Sequence, residues 1–592
     1  MSYLAVDTET TGLNEWDKPF FISICYEDMT TGYWRFKVNI ETREVIVPSF
    51  FNIQEIQEIL DKHILVFHNA NFDIRMLESV GLKVRSEVHD TMILSHVLTG
   101  GSEISYGLKY LSKKYLKINT DDEKELKDNV RKYRKIYKEK GYKVSDRVEE
   151  DYFMADPDIL KRYGVQDVVR TMELFKRGFK SLNGKLNHLK NIYHMENNQL
   201  RPIIYRMRKM GMRIDLEKLS ILNDYYSNYK KEQKDSADKE GGKGLNFNSS
   251  LQMRKKFYEE LKFPVRYKMK GKDKGKVVLD GKTLETFTSK SKLAKHIVEW
   301  KAADSMLSSF INVINDVRVD DILYPNIRQV GTTTGRMSCS TPNLMNIPSD
   351  GRKRPYDMQV RIRELFIPRE GHYLLFPDYS QMEIWILAYL SDCKGLKELL
   401  KSGSDLHGAV AKQIWGSKKD FNFKKHRAIA KNLQFAKLYG AGPACVAEMT
   451  DSTEVEAINF IDEYNKKFPE VKRFSEETCE SARKLKATYN IFGRKYTLKE
   501  GFYRATNYIV QGAGAEILKR SVIKLDKMDG FMVLMTVHDE IIIEVPLINE
   551  GKVERRILDV MESGGEILGI DRLPVGMKKT KTNWSETEEV KL

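Results

Sequence analysis

Cysteine is scarce in this sequence, and its distribution excludes several classes of protein. The 592 residues include five cysteines, which are scattered and form no CxxC pair. An odd, dispersed set argues against a disulfide framework and a cysteine-based zinc site, and it favours a reducing compartment. No apolar run is long enough to span a bilayer. A strand pattern begins at residue 3, which leaves no room for a signal peptide. We therefore expect a cytoplasmic protein that is neither secreted nor bound to a membrane.

Acidic residues are fewer than basic ones, and this balance indicates what kind of molecule the protein binds. The sequence has 99 Lys and Arg against 84 Asp and Glu, a net charge of +15. This excess suits a polyanion, nucleic acid before membrane, although charge alone equally fits a soluble Lys-rich protein. The apolar content of 41% and the charged content of 31% fit a soluble globular chain, and the length allows several domains.

The stretch LLFPDYSQMEIWILAYL, residues 374–390, combines a strand pattern with a helix pattern. The apolar run predicts a buried strand that delivers Asp378 to its C-terminal end, and the following segment predicts a helix that carries Glu383. A carboxylate at a strand end can hold a hard cation, which suits phosphate chemistry. Asp before a helix is equally a favoured capping residue, so this stretch alone leaves both interpretations open.

Four acids and a tyrosine near the N-terminus each stand at the edge of an apolar element. Asp7 and Glu9 are two apart on a strand and point to one face, where their like charges need a neutralising group. Asp73 follows another apolar strand, just before a predicted helix. Tyr163 and Asp167 share a helical face at i, i+4. The five side chains can converge on two cations for attack of water on a phosphodiester, with Tyr163 orienting the water.

These residues carry a first family resemblance. DTET, NANFD and YGVQD resemble, in order, the three motifs of the DEDDy 3′–5′ exonucleases. The resemblance implies a ribonuclease H-like mixed sheet flanked by helices and removal of nucleotides from a DNA 3′ end. It also implies an active site, with four acids as metal ligands: Asp7, Glu9, Asp73 and Asp167.

The sequence between the exonuclease-like part and residue 330 is basic and rich in helix patterns. Residues 195–215 predict an amphipathic helix that ends at Gly211. The segments 230–246 and 266–278 are Lys-rich and contain glycine. They predict mobile loops that grip a phosphate backbone, and ordinary linkers fit them equally well. Residues 121–144 predict a solvated helix followed by a loop.

The segment HRAIAKNLQFAKLYG, residues 426–440, places four functional side chains at a spacing of four. Arg427, Lys431, Phe435 and Tyr439 therefore lie along one slowly rotating helix face. Two cations followed by two aromatics suit a triphosphate and then a base. The same pattern fits an amphipathic helix whose cations face water while its aromatics enter a core.

The segment FMVLMTVHDEIIIEVP, residues 531–546, predicts a strand, a tight turn and a second strand. His538, Asp539 and Glu540 then lie at the tip of a hairpin. Asp539 and Asp378 would each be a carboxylate at the end of an apolar strand. Two cations between them could activate a primer 3′ hydroxyl and stabilise a pyrophosphate leaving group.

These segments carry a second resemblance, to family A (polymerase I-like) DNA polymerases. DYSQMEI, RAIAKNLQFAKLYG and VHDE correspond to that family's three main motifs. Five further segments fall in family order: TTTGRMSCSTPNLMNIP, SDLH, FGRKY, NYIVQGAGAEILK and NW. Together the two resemblances cover nearly the whole chain. No 5′-nuclease region precedes the first motif, and residues 215–300 are too few for a large processivity insertion, so the layout resembles phage-type enzymes.

The polymerase resemblance implies roles for the metal and phosphate ligands. Asp378, Asp539 and the backbone carbonyl of Tyr379 would hold the metal, with Glu540 beside them. Three side chains would contact the incoming phosphates: Arg427, Lys431 and His407. Lys431 would also protonate the leaving pyrophosphate.

It also implies roles around the sugar, base and duplex. Glu383 would lie beneath the sugar and, with Tyr439, exclude a 2′ hydroxyl by a clash. Gln381 and Phe435 complete the expected nucleotide contacts. Four residues are expected to bind DNA, the first and third in the minor groove: Arg336, Asn507, Gln511 and His538.

The sequence departs from the family pattern at positions near these sites. The departures put some minor-groove contacts and some contacts behind the site in doubt, but none of them replaces a metal ligand or a phosphate-contacting residue. Eight positions depart: Met345, Trp385, His426, Gln434, Ala436, Arg504, Ile509 and Thr536.

We therefore predict a multidomain α/β and α+β protein that acts as a template-directed DNA polymerase with proofreading, in phage DNA replication. The expected divisions are an exonuclease domain, a thumb, a first palm segment, fingers and a second palm segment: 1–185, 186–330, 331–395, 396–500 and 501–592. The expected cofactor is Mg²⁺, two ions per site, with Mn²⁺ as a substitute. We expect a monomer in the host cytoplasm that binds primer–template DNA and dNTPs and works with a helicase, a single-strand-binding protein or other replisome components. Two alternatives are a single-subunit RNA polymerase and a nucleolytic or DNA-binding protein with an inactive polymerase half.

Overall fold

The computed structural model describes residues 1–47, 50–267, 275–348, 358–359, 361–403 and 405–591, with only the backbone of residues 50–52 and Tyr439. The N-terminal part contains seven strands and six α-helices: β1 (Tyr3–Thr10), β2 (Pro19–Tyr26), β3 (Thr31–Arg35), β4 (Lys37–Val38), β5 (Val45–Ile46), α1 (Phe50–Asp61), β6 (Ile64–Phe67), α2 (Ala70–Ser79), β7 (Val88–Asp90), α3 (Thr91–Thr99), α4 (Leu108–Leu111), α5 (Asp121–Glu139) and α6 (Pro157–Asn183). Five of the strands form a sheet in the order β3-β2-β1-β6-β7. Strand β1 is antiparallel to β2 and parallel to β6, so the predicted mixed sheet is confirmed.

Close packing of α6 on this sheet positions Tyr163 and Asp167. A Cβ atom at Gly164 would lie 2.5 Å from the Phe21 ring of β2, so only glycine allows this approach. Gly164 also accepts a hydrogen bond from the Ser23 hydroxyl through its carbonyl, at 3.0 Å. The glycine between Tyr163 and Asp167 therefore brings both side chains against β1. The predicted solvated helix at 121–144 is confirmed as α5, which ends at Glu139.

The middle part is mostly helical: α7 (Lys190–His194), α8 (Arg201–Met210), β8 (Met212–Arg213), α9 (Leu216–Ala237), α10 (Ser250–Arg254), β9 (Arg266–Tyr267), β10 (Val277–Val278), α11 (Gly281–Phe287), α12 (Lys292–Met306), α13 (Asn312–Val317) and β11 (Ile322–Leu323). Helix α9 packs along α12. Helix α8 ends as predicted at Gly211, whose φ of +63° suits glycine.

The predicted basic loop at 230–246 is wrong over its first half, because α9 continues to Ala237. Its Lys, Glu and Gln residues are good helix formers, so their charge does not exclude a helix. The segment 266–278 begins and ends in the paired strands β9 and β10, and residues 268–274 lie outside the described part.

The C-terminal part contains the second large sheet: β12 (Asn326–Arg328), β13 (Ser338–Ser340), β14 (His372–Tyr379), α14 (Met382–Leu390), α15 (Lys394–Lys401), α16 (Leu406–Trp415), α17 (Phe423–Tyr439), α18 (Pro443–Thr450), α19 (Glu454–Lys467), α20 (Pro469–Leu485), β15 (Ala487–Tyr489), β16 (Lys495–Thr497), α21 (Ala505–Leu525), β17 (Met532–Val537), β18 (Glu540–Pro546), α22 (Glu554–Glu562), β19 (Val575–Thr580) and β20 (Glu588–Glu589). Its order is β17-β18-β14-β19-β20, and every neighbouring pair is antiparallel. The almost fully buried helix α21 packs against α14 and α20. Distant segments of the chain thus meet on one antiparallel sheet, as predicted.

Among the helices of the described ranges, none combines the length and the apolar character that a bilayer crossing requires.

Candidate active sites

The first candidate site lies where β14 ends beside the hairpin of β17 and β18. Asp378 pairs in register with Glu540, the first residue of β18. The Tyr379 N–H donates to the Asp539 carbonyl at 3.3 Å. The turn is the dipeptide His538–Asp539, in which His538 has a φ of +56°. The predicted strand–turn–strand geometry is confirmed, and it brings Asp378 and Asp539 together.

Burial disfavours ionisation of the three carboxyl groups of this site, and a neighbouring carboxylate adds to the effect at Asp378 and Glu540. Burial by surrounding atoms and the nearby Asp539 raise the pKa of Asp378 to about 6, although its side chain still reaches solvent. Burial and Asp378 raise the pKa of Glu540 to about 7. Burial also raises the pKa of Asp539, against the opposing charge of Arg336. A hard divalent cation would relieve this repulsion, so the residues fit the predicted metal centre.

The predicted sugar gate and the predicted minor-groove residues form one contact group. The Arg336 Nη2 donates to Glu383 Oε1 at 2.5 Å and lies 3.7 Å from Asp539 Oδ1. Burial raises the pKa of Glu383, while Arg336 and a hydrogen bond with Gln511 oppose the rise. Asn507 lies one turn before Gln511 on α21, and its buried Nδ2 makes no hydrogen bond to a described residue. This amide nitrogen is therefore an orphaned buried donor among the described residues.

Helix α17 is confirmed, and it carries the predicted basic residues Arg427 and Lys431. Arg427 donates two hydrogen bonds to Asp405, at 2.6 and 3.0 Å, so Asp405 currently occupies its guanidinium. Lys431 is exposed one turn later, and Phe435 is half-buried. The His407 Nδ1 donates to Gln434 Oε1 at 2.5 Å, and burial lowers the pKa of His407. Tyr439 was predicted to exclude a 2′ hydroxyl together with Glu383, but its side chain lies outside the described part.

Two of the departures from the family pattern are explained by burial. Trp385 is 6% exposed and stacks on Tyr389, with ring centres 6.1 Å apart, so it is a core residue of α14. His426 is also 6% exposed and packs between the rings of Trp415 and Phe421 at 5.2 and 5.3 Å. Both side chains therefore pack into the protein core.

Two further departures meet in one cavity. Met345 and Thr536 both line a space of about 210 Å³ that also borders Arg336, His538 and Asp539. Both departures thus border the same space as Asp539, a predicted metal ligand.

The second candidate site lies on the N-terminal sheet. Oxygens of Asp7, Glu9 and Asp167 lie within 4.8 Å of one another, one from each carboxylate. Asp73 Oδ1 accepts from the Thr8 N–H at 3.1 Å and from the Thr8 hydroxyl at 2.8 Å. The prediction that Asp73 precedes its helix is wrong by one turn, because α2 already begins at Ala70. The structure nevertheless brings all four acids to one place.

Burial dominates the electrostatics of this second site. It raises the pKa of Asp7 well above its usual range, with Asp73 and Glu9 adding to the rise. It raises the pKa of Glu9 to about 8, assisted by Asp167, and that of Asp73 to about 7. Such a set of crowded oxygens is the ligand type that hard divalent cations prefer.

A basic group in this site had not been predicted. The Lys109 ammonium forms an ion pair with Asp167, and it lies 3.6 Å from Asp122. Arg170 donates to Asp167 Oδ1 at 2.9 Å and makes two bonds of 2.7 Å to Asp122. The i, i+3 spacing of Asp167 and Arg170 could have revealed their pair. Lys109 lies 58 positions from Asp167, so no local pattern indicates that contact.

Tyr163 is confirmed beside the four acids. Its side chain is buried, and the Lys109 Nζ lies 4.1 Å from the centre of its ring. Burial raises the pKa of Tyr163, with Asp167 and Glu9 adding to the rise, so the hydroxyl stays protonated and can donate a hydrogen bond.

A buried ion cluster joins the middle part of the chain to helix α21 and to the turn between β15 and β16, and the sequence did not indicate it. Glu196 accepts from Arg494 and, at 2.5 Å, from Lys519. Arg494 also donates to Glu516 of α21 at 2.5 Å. Gln329 donates to the Glu196 Oε2 at 2.8 Å. The cluster connects residues up to 323 positions apart, and its Arg494 side chain lies against the backbone at Gly335.

Two protein families match this chain, and each match contains one of the two large sheets. Residues 216–586 match the model of DNA polymerase family A, and residues 1–180 match the model of a 3′–5′ exonuclease. The chain is 26% identical over 583 residues to DNA polymerase I of Borreliella burgdorferi, covering 95% of this chain and 60% of that protein. It is 27% identical over 544 residues to DNA polymerase I of Caldicellulosiruptor bescii, covering 88% and 57%. The thermostable DNA polymerase I of Thermus aquaticus is 28% identical over 439 residues, covering 69% and 52%. The chain thus spans about half to three-fifths of the length of these relatives.

A solved structure has the same fold. It is the POL domain of Pol1 from M. smegmatis in a complex with DNA primer-template and dNTP. The TM-score is 0.76 at 22% identity, and the match covers 98% of this chain and 95% of that one.

Proposed function

Because the chain belongs to DNA polymerase family A, we propose that it is a template-directed DNA polymerase with a 3′–5′ proofreading exonuclease. The observation that carries the proposal is the presence of two separate carboxylate clusters. Asp378 and Asp539 meet on the C-terminal sheet, whereas Asp7, Glu9 and Asp167 meet on the N-terminal sheet. One site can add a nucleotide to a 3′ end and the other can remove it.

Both sites use divalent cations, as the two families generally do, and we propose Mg²⁺, two ions per site, with Mn²⁺ as a substitute. When bound, these ions lower the charge of the reacting phosphates and activate the attacking oxygen. Asp378, Asp539 and the Tyr379 carbonyl would hold them in the polymerase site, with Glu540 alongside. Asp7, Glu9, Asp73 and Asp167 would hold them in the exonuclease site.

The remaining polymerase residues position the nucleotide and the primer end. Arg427, Lys431 and His407 bind the triphosphate, and Lys431 donates a proton to the leaving pyrophosphate. Gln381 and Phe435 contact the nucleotide, and Glu383 with Tyr439 crowds the 2′ position of its sugar. Four side chains bind the duplex: Arg336, Asn507, Gln511 and His538. The orphaned amide of buried Asn507 supports this assignment.

In the exonuclease site, the protonated Tyr163 orients the attacking water. Its burial beside Glu9 and Asp167 supports this role, because a water between these groups could both donate and accept hydrogen bonds. We further propose the domain divisions 1–185, 186–330, 331–395, 396–500 and 501–592. The chain would act as a monomer in the cytoplasm, in phage replication, alongside a helicase or a single-strand-binding protein.

The test uses one labelled primer–template with Mg²⁺ and compares wild type with Asp378→Ala and Asp7→Ala. Asp378→Ala is expected to slow extension by about 10³-fold or more and to leave 3′ excision intact. Asp7→Ala is expected to do the reverse. Extension by wild type with NTPs as efficient as with dNTPs would instead indicate an RNA polymerase, and a wild type without extension would refute the polymerase proposal.

A further inference from the structure

The Lys109 side chain stands inside the exonuclease carboxylate cluster, although nothing in the motifs of that site includes it. Its ammonium forms an ion pair with Asp167 and lies 3.6 Å from Asp122. It also lies 4.1 Å from the ring centre of Tyr163. One cation therefore contacts both α6 residues that the proposed hydrolysis uses.

The surroundings of Lys109 hold it in this position. It lies on the short helix α4, which packs against α6, and its side chain is 19% exposed. Arg170 binds Asp122 through two hydrogen bonds and reaches the same Asp167 oxygen, Oδ1, at 2.9 Å. Both basic groups thus occupy Oδ1 of Asp167.

The charges of the cluster explain why a fixed cation belongs there. Oxygens of Asp7, Glu9 and Asp167 lie within 4.8 Å of one another, and the Lys109 ammonium pairs with Asp167 of this set. A fixed cation beside crowded carboxylates offsets their mutual repulsion. The same positive charge also repels any divalent cation that these acids bind.

We propose that Lys109 is a positioning residue of the exonuclease site: it fixes Asp167 and Tyr163 for hydrolysis and competes with a divalent cation for Asp167. The inference rests on the proposed exonuclease function. It predicts two opposite effects when the charge is removed. Divalent ions bind more tightly because the competitor is lost, and excision slows because Asp167 and Tyr163 lose their common contact.

The binding test measures Mn²⁺ by the electron paramagnetic resonance of the free ion. The full-length chain carries Asp378→Ala and Asp539→Ala, so that the exonuclease cluster dominates binding. Lys109→Met is expected to bind Mn²⁺ on the order of tenfold more tightly, since a unit charge near the ion is removed. Lys109→Arg keeps the charge and is expected to stay within about threefold of the parent. Lys113→Met is the matched control, because Lys113 is exposed one turn later and should leave Mn²⁺ affinity unchanged.

The kinetic test uses single-stranded DNA and the same Lys109 variants with Asp378 and Asp539 intact. Lys109→Met is expected to lower the excision kcat about tenfold with little change in KM, and Lys109→Arg to recover part of the loss. Primer extension by the same preparations checks that the chain is folded. If Lys109→Met does not fold, Lys109→Gln replaces it with the same expectations.

The outcomes separate the inference from the proposed function. A Mn²⁺ affinity in Lys109→Met that is unchanged or weaker, or an excision rate that is unchanged, overturns the role of Lys109 alone. A wild-type chain that excises no nucleotide from DNA overturns the exonuclease proposal itself. Tighter Mn²⁺ binding combined with slower excision supports both.

Discussion

The Arg336 guanidinium donates to Glu383 at 2.5 Å and lies 3.7 Å from Asp539, so one side chain links the proposed sugar gate to a proposed metal ligand. Glu383 is therefore held by a charged partner and by Gln511. A gate fixed in this way can reject a 2′ hydroxyl by crowding, because it cannot easily swing aside.

Glu383→Ala is expected to raise ribonucleotide incorporation relative to deoxyribonucleotide by about 10²-fold, since the crowding side chain is removed. The measurement is single-nucleotide extension with matched NTP and dNTP. Glu383→Gln is the control: it keeps the bulk, loses the charge, and should retain most of the selectivity. Unchanged selectivity in Glu383→Ala would exclude the gate.

The pair of Arg427 and Asp405 should contribute little by itself, because both side chains are more than 40% exposed. Asp405→Ala is therefore expected to change the KM for dNTP by less than about fivefold. Arg427→Ala should raise that KM by more than about tenfold, since a charge-assisted contact to phosphate is lost. Steady-state extension measures both. Equal effects of the two substitutions would mean that the ion pair, not phosphate binding, is the role of Arg427.

Glu196→Gln should destabilise the fold by about 3–5 kcal/mol, because Arg494 and Lys519 would lose their shared buried counter-charge. The measurement is chemical denaturation, with Glu477→Gln at an exposed position as the control. The neighbouring charges of Lys519 and Arg494 hold the pKa of Glu196 at about 2 against the effect of burial. Its unfolded pKa is about 4.3, so this stabilisation is present above that pH and is lost as the pH falls toward 2. A variant as stable as wild type at pH 7 would contradict the prediction.

Glu9→Gln should make the metal-free protein less sensitive to pH. Burial raises the pKa of Glu9 to about 8, whereas the unfolded value is about 4.3. Folding therefore takes up a proton between these values, and the wild type loses stability as the pH rises from about 5 to 8. Denaturation midpoints without divalent cations should show this decline in wild type and a flatter profile in Glu9→Gln. Added Mg²⁺ should restore more stability to wild type than to the variant, and identical profiles would be the contrary result.

Local patterns in the sequence were sufficient for the elements that carry the two sites. The strand ending at Tyr379, the turn at His538–Asp539 and the helix carrying Tyr163 and Asp167 are present as predicted. Apolar periodicity and turn geometry act over a few residues, so they can be read from sequence. The prediction of a loop at 230–246 was wrong because a Lys-rich composition indicates exposure to solvent but does not distinguish a loop from a helix.

The sequence by itself determined the candidate catalytic side chains: the acids stand in ordered motifs at the ends of apolar strands and on two helices. Only the tertiary structure decided what surrounds them. The ion pair of Lys109 with Asp167 joins residues 58 positions apart, and that of Glu196 with Arg494 joins residues 298 apart. The core position of Trp385 likewise depends on packing between elements. Such contacts depend on how helices pack against sheets, and the local periodicity of apolar residues along the chain does not indicate them.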